Sequence, residues 1–92
     1  MTPVKRTAAA KKKPTFVWTG GPHTVKVELA GSFNNWTPIA VPRRKGKFQV
    51  SVALAPGEYR YKFIVDGDWQ HDPNAEHSVP NAFGTLDSLI RV

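Results

Sequence analysis

The chain contains no cysteine, which excludes a disulfide framework, thiolate catalysis and a cysteine-held zinc site. No apolar run is long enough to span a bilayer, so no membrane partner is expected. The N-terminus also lacks the apolar core of a secretion signal. Thr7 to Ala10 is too short, and Lys11, Lys12 and Lys13 follow it at once, so the chain reads as cytoplasmic. There is no stretch of sustained helical periodicity, no G-x-S-x-G elbow and no phosphate-cradling glycine loop. Histidine is limited to His23, His71 and His77. His71-Asp72 with Glu76-His77 is the only metal-like grouping, and its spacing matches no established ligand set. These four read as turn formers and solvated loop residues. No metal and no cofactor is expected, and no enzyme, for want of a nucleophile or a paired acid and base.

Acidic residues are few, seven against thirteen Lys and Arg in 92 residues, but the imbalance is local. Residues 1–13 hold Lys5, Arg6, Lys11, Lys12 and Lys13 and no acid; residues 14–92 hold eight basic against seven acidic side chains, a net of +1. Residues 1–14, rich in Lys, Ala and Pro, read as a disordered basic arm with almost nothing to bury. The rest, 15–92, is one small domain.

What is present is β pattern. In Glu58–Val65 (EYRYKFIV), Tyr59, Tyr61, Phe63 and Val65 alternate with Glu58, Arg60, Lys62 and Ile64, the period of a half-buried strand. Asp66-Gly67 follows, the strongest short hairpin signal, because a type I′ turn needs φ > 0 at both central residues. A two-residue loop there pairs Val65 with Asp68, Ile64 with Trp69 and Lys62 with His71. Cross-strand partners share a face, so Trp69 falls beside Lys62 on the side away from the Tyr/Phe core.

Further strands are expected at Thr15–Trp18, at Thr24–Ala30 with Val25, Val27 and Leu29 inward and Gly31 at its end, and at Ile39–Val41 between two prolines. Phe48 to Leu54 and Asp87 to Val92 complete the set. Arg43 to Lys47 reads as a basic turn, and His71 to Ala82 as a long turn-rich loop. Several short strands separated by Gly/Pro turns argue an antiparallel two-sheet β-sandwich, all-β in class.

Three tryptophans stand out. Trp18, in an early strand, reads as core or edge packing. Trp36 lies in the polar loop Ser32–Pro38, and Trp69 on the outer face. Two exposed indoles imply a site; the competing reading has Trp36 capping the sandwich end and Trp69 under the 72–82 loop. An indole can stack on the apolar C–H face of a pyranose while amides, hydroxyls and an ammonium bond its equatorial rim. Nucleobases stack as well, but Asp66, Asp68 and Asp72 near Trp69 disfavour a polyphosphate and leave a neutral sugar as the better fit.

At this point whole motifs resemble a known family. Gly31-Ser32-Phe33-Asn34-Asn35-Trp36, Leu54-Ala55-Pro56-Gly57-Glu58-Tyr59, Tyr61 through Trp69, His71-Asp72-Pro73 and Asn81-Ala82-Phe83-Gly84-Thr85 resemble, in order, carbohydrate-binding module family 48. That family includes the glycogen-binding domain of AMP-activated protein kinase β subunits and the early-set domain of isoamylases and branching enzymes. The resemblance covers about residues 15–92. It implies an immunoglobulin-like early-set β-sandwich that binds α-1,4-linked glucan without hydrolysing it. By position, Trp36 and Trp69 look like the stacking tryptophans and Lys62 like the lysine that bonds sugar hydroxyls. Phe83 stands where the kinase domain has an apolar residue that pushes through the sugar chain, and Thr85 matches its threonine. Asp87 stands where that domain has a hydroxyl-binding asparagine, a departure, since a carboxylate only accepts. The implied partner is an α-glucan. An early-set module that packs against a protein partner without binding sugar is the alternative; a nucleic-acid binder using the arm and Arg43 to Lys47 is the more remote one.

Overall fold

A computed structural model of the chain describes residues 11–92. Among the described residues nine strands, β1 Thr15–Trp18, β2 Val27–Gly31, β3 Ile39–Ala40, β4 Arg43–Arg44, β5 Lys47–Ser51, β6 Glu58–Val65, β7 Asp68–Gln70, β8 His77–Pro80 and β9 Leu86–Arg91, are joined by turns and one 3-10 turn, Ser32–Asn34. They form two antiparallel sheets, one of three strands ordered β1-β5-β4 and one of six strands ordered β3-β2-β6-β9-β8 with β7 on β6. The molecule is the all-β sandwich that the alternation predicts.

The core lies between the sheets. Phe16 and Phe48 from the small sheet meet Val27, Leu29, Tyr61, Phe63 and Val65 from the large one, with Val41 and Leu54 closing the ends. Phe63 and Leu29 are fully buried, each burial stabilising the fold by about 1.5–3 kcal/mol. The inward set of β6 is the one its alternation predicts, and Trp18 packs tilted on Phe63 with ring centroids 5.3 Å apart.

The Asp66-Gly67 hairpin has the predicted register, Val65 opposite Asp68 and Ile64 opposite Trp69, but its ladder ends at Phe63 opposite Gln70, so the expected pairing of Lys62 with His71 does not form. Asp66 (φ 49°) and Gly67 (φ 90°) take the left-handed conformations the turn demands. Asp66 also holds the neighbouring strand. Its Oδ1 accepts from the amides of Val25 and Lys26 at 3.0 and 2.7 Å. That capture corrects one expectation: Val25 is not the first inward residue of β2 but is 83% exposed. The side chain of Asp66 takes the amides that a strand would pair, so β2 starts at Val27.

Three other expectations change. The basic turn at 43–47 is a hairpin, Arg44 opposite Lys47, closed by Lys45 and Gly46 at positive φ; the Arg43 guanidinium lies 4.7 Å over the Phe48 ring. The 71–82 loop contains strand β8, paired with β9 from His77↔Leu89 to Pro80↔Leu86. Pro80, its last residue, hides this strand in the sequence, but an edge position tolerates it. Third, part of the arm is tied down. Lys12 and Leu54 exchange backbone hydrogen bonds at 3.0 and 2.8 Å, and Val52 N donates to Pro14 O. The rest of the arm expected at 1–14, residues 1–10, lies outside the described residues.

Candidate functional site

The site arises where β6 changes neighbours. On one edge β6 pairs continuously with β2, from Tyr61 to Val65. On the other edge β9 pairs with Glu58–Tyr61 and β7 with Phe63–Val65. Lys62 sits at the changeover, in the fork between β7 and β9. From the fork's two arms, Trp69 and Asp87 face the same concavity.

That concavity measures about 640 Å³ and is lined by Trp36, Lys62, Trp69, Phe83, Thr85 and Asp87, with Arg60 and Asn81. The six residues proposed from the sequence therefore come together on the outer face of the six-stranded sheet. Trp36 is 36% exposed, Trp69 49% and Phe83 90%, so neither indole is covered in the manner of the alternative packing.

Each side chain is held by a local device. Trp36 follows the 3-10 turn, and both Asn35 (φ 55°) and Trp36 (φ 58°) are left-handed, uncommon for a bulky residue and of the kind of strain found at functional sites. The loop is pinned by Trp36 N to Gly31 O at 2.9 Å and Thr37 N to Asn34 O at 3.1 Å, by Gly31 N to Asn34 Oδ1 and by Arg60 N to Ser32 Oγ. Gly31 is required here for space: a Cβ would stand 2.6 Å from the Arg60 carbonyl oxygen and 2.5 Å from the Phe33 ring.

Trp69 is held by the hairpin and by the segment after it. Asp72 is buried rather than solvated, a correction to its reading as an exposed loop residue. Its Oδ2 accepts from the Tyr61 hydroxyl at 2.7 Å, its Oδ1 from Asn74 N at 2.9 Å, and its own amide donates to Ser88 Oγ at 2.6 Å. Burial, then the hydrogen bond and the negative charge of Asp72, push the Tyr61 phenol far above its ordinary pKa; it is a neutral donor at any physiological pH.

The 81–85 loop hangs on Asn81. Its Oδ1 accepts from Phe83 N at 2.9 Å and Thr85 N at 3.2 Å; its Nδ2 donates to Thr85 Oγ1 at 2.8 Å and Asp87 Oδ1 at 2.9 Å. Lys62 Nζ donates to Thr85 Oγ1 at 3.0 Å. Arg60 Nη1 lies 3.7 Å from Asp87 Oδ2. Arg60 and Asn81 were not singled out as site residues in the sequence. Arg60 shares the outward register of Lys62, which could have found it; Asn81 had only its place in a family motif.

The acidic surround of Trp69 is smaller than the sequence suggests. Of the three aspartates read as an acidic surround of Trp69, Asp72 is turned inward on Tyr61 and Asp66 onto the amides of Val25 and Lys26 ahead of β2. The charges that line the concavity are Arg60 and Lys62 against Asp87.

A shallow, aromatic-walled, hydrogen-bonding groove on a β-sandwich defines a surface ligand-binding module. The sequence comparisons give its family. The model of the glycogen recognition site of AMP-activated protein kinase matches residues 13–92, and the chain belongs to that family. It is 44% identical over 86 residues to the 5'-AMP-activated protein kinase subunit beta-1 of Sus scrofa, covering 92% of this chain and 68% of that sequence. It is 43% identical over 90 residues to the Rattus norvegicus beta-1 subunit, covering 97% of this chain and 32% of the relative. With the beta-2 subunit of Mus musculus the identity is 41% over 86 residues, 91% of this chain and 31% of the relative. The chain thus spans about a third of the length of the rat and mouse relatives.

Proposed function

We propose that this chain is a non-catalytic module that binds α-1,4-linked glucan: glycogen, starch or maltooligosaccharides. The observation that carries the reading is the convergence of two exposed indoles with the Lys62–Thr85 hydrogen bond in one open concavity. A pyranose offers an apolar face for Trp36 and Trp69 and a hydroxyl rim for Lys62, Thr85, Asp87 and Arg60. The exposed Phe83 adds a third apolar wall. A helical glucan is curved, and rings on separate elements suit a curved face better than a flat one. Family membership supports the same ligand class.

Hydrolysis is not part of the proposal. Glycosidases use two carboxyl groups flanking the scissile bond, and Asp87 is the one acidic residue lining the groove, already bonded by Asn81. The ligand is neutral and the groove open, so single-site affinity falls on the order of tens of micromolar to millimolar. Because the relatives are named as kinase subunits, a protein partner, beside the glucan, and a cytoplasmic setting are part of the proposal.

Co-sedimentation with glycogen across about 50 to 500 mM salt tests the reading. The bound fraction is expected to stay nearly constant. A bound fraction that collapses with salt would point to a charge-dominated interaction and count against the sugar mechanism.

A further inference from the structure

Every hydrogen-bonding group of the Asn81 side chain is used within the protein, and the directions of those bonds are fixed. Two backbone amides, Phe83 N and Thr85 N, lie 2.9 and 3.2 Å from Oδ1. An N–H must point at an acceptor, so the carbonyl oxygen belongs on that side and the NH2 on the other. The NH2 then spends both protons, one on Thr85 Oγ1 at 2.8 Å and one on Asp87 Oδ1 at 2.9 Å.

The consequence falls on Thr85. Its hydroxyl has two lone pairs and one proton. Asn81 Nδ2 fills one lone pair and Lys62 Nζ, which can only donate, fills the other at 3.0 Å. The proton has no acceptor among these neighbours and is left for whatever occupies the groove.

We propose that Asn81 is a positioning residue that sets the hydrogen-bond polarity of the groove, turning the Thr85 hydroxyl into an obligate donor toward the ligand while Asp87 serves as an acceptor only. The inference rests on the glucan reading for its ligand. It narrows that ligand: the atom over Thr85 is an acceptor, such as a ring or bridging oxygen or a hydroxyl lone pair. A freely rotating threonine would accept either kind of atom, so Asn81 determines specificity without touching the sugar.

The exchange variant Asn81→Asp with Asp87→Asn separates this role from a structural one. The new carboxylate at 81 still accepts from the amides of Phe83 and Thr85, and the amide at 87 donates back to it, so the loop keeps its bonds. The carboxylate, however, also faces Thr85 Oγ1 and draws its proton inward. In the full 92-residue chain, the exchange is expected to keep Tm close to wild type while weakening maltoheptaose binding about five- to tenfold, the scale of one hydrogen bond. Thr85→Val in the wild-type background is expected to weaken binding by a similar factor and to have no further effect in the exchange variant. Wild-type affinity in the exchange variant, or the same Thr85→Val loss in both backgrounds, overturns the proposal.

A sugar-independent readout keeps the two readings apart. By NMR, the Asn81 side-chain amide protons are expected to exchange with solvent at least about tenfold more slowly than those of exposed Asn35, and Thr85→Val to speed the exchange of one of them. If wild type fails to bind maltoheptaose while the Asn81 protons are protected, the glucan reading falls and the polarity assignment stands. Asn81 protons that exchange as fast as those of Asn35 overturn the assignment, whatever the sugar does.

Discussion

Arg60 Nη1 stands 3.7 Å from Asp87 Oδ2, the guanidinium half exposed and the carboxylate buried. Asp87 is the position where the family resemblance expects an asparagine, and Arg60 is the cation that accompanies the departure. Removing one partner from a buried charge costs more than removing both. Arg60→Ala is therefore expected to destabilise the fold by about 1 kcal/mol and Asp87→Asn by less, since the amide still accepts from Asn81. Combining them is expected to recover about 0.5 kcal/mol, the coupling of a long, half-exposed pair. Urea unfolding of the four proteins measures the cycle; strict additivity would show that the pair does not interact.

Gly31→Ala is expected to destabilise the domain by about 1–3 kcal/mol through overpacking, because the added Cβ meets the Arg60 carbonyl oxygen at 2.6 Å. Glucan affinity is expected to fall as well, since Gly31 O holds the Trp36 amide. Thermal unfolding with a binding assay checks both. Wild-type stability would contradict the close approach.

Trp36 occupies a left-handed conformation that only glycine adopts freely. Trp36→Gly relieves about 1–2 kcal/mol of backbone strain and loses a similar amount to unfolded-chain entropy and missing contacts. Stability is expected to change by less than about 1 kcal/mol while glucan affinity falls at least about tenfold, or 1.4 kcal/mol. A large loss of stability would mean that the ring packs as core.

The burial of the Tyr61 phenol, with its bond to Asp72, gives a pH signature. The folded-state pKa of Tyr61 is raised above its unfolded value of 10.0. The stabilisation is thus fully present below pH 10 and is lost as pH rises further, when the unfolded chain releases a proton that the folded one keeps. The slope is up to about 1.4 kcal/mol per pH unit. Tyr61→Phe is expected to remove that part of the alkaline slope and, at neutral pH, to cost about 1–3 kcal/mol by leaving Asp72 Oδ2 buried without its partner. Urea midpoints of both proteins from pH 8 to 11 test this; parallel curves would contradict it.

The sequence carried the fold where local chemistry and tertiary packing agree. The alternation of β6 and the Asp66-Gly67 turn fix both a register and a face, and so Lys62 and Trp69 share the outer surface. It misled where a side chain competes with the backbone ladder: Asp66 takes the amides of Val25 and Lys26, and β2 shortens. It also misled where a proline sits on an edge strand, as Pro80 does in β8. Of the site, Trp69 and Lys62 followed from register and Trp36 from its polar loop, while Phe83, Thr85 and Asp87 needed the loop motifs of a family. Asn81 and Asp72 were missed because their roles lie in hydrogen bonds to partners four to sixteen residues away, a relation with no periodicity to read.

In the proposed function the groove binds α-glucan through its indoles. Tryptophan fluorescence during titration with maltoheptaose, on wild type and on Trp69→Ala, reads that contact at the rings themselves, with cellohexaose as the β-linked control. A saturable change in wild type, absent with cellohexaose and abolished or weakened at least about tenfold in the variant, is the predicted result. A folded wild-type protein whose fluorescence does not respond to millimolar maltoheptaose, or responds equally to both sugars, would contradict it.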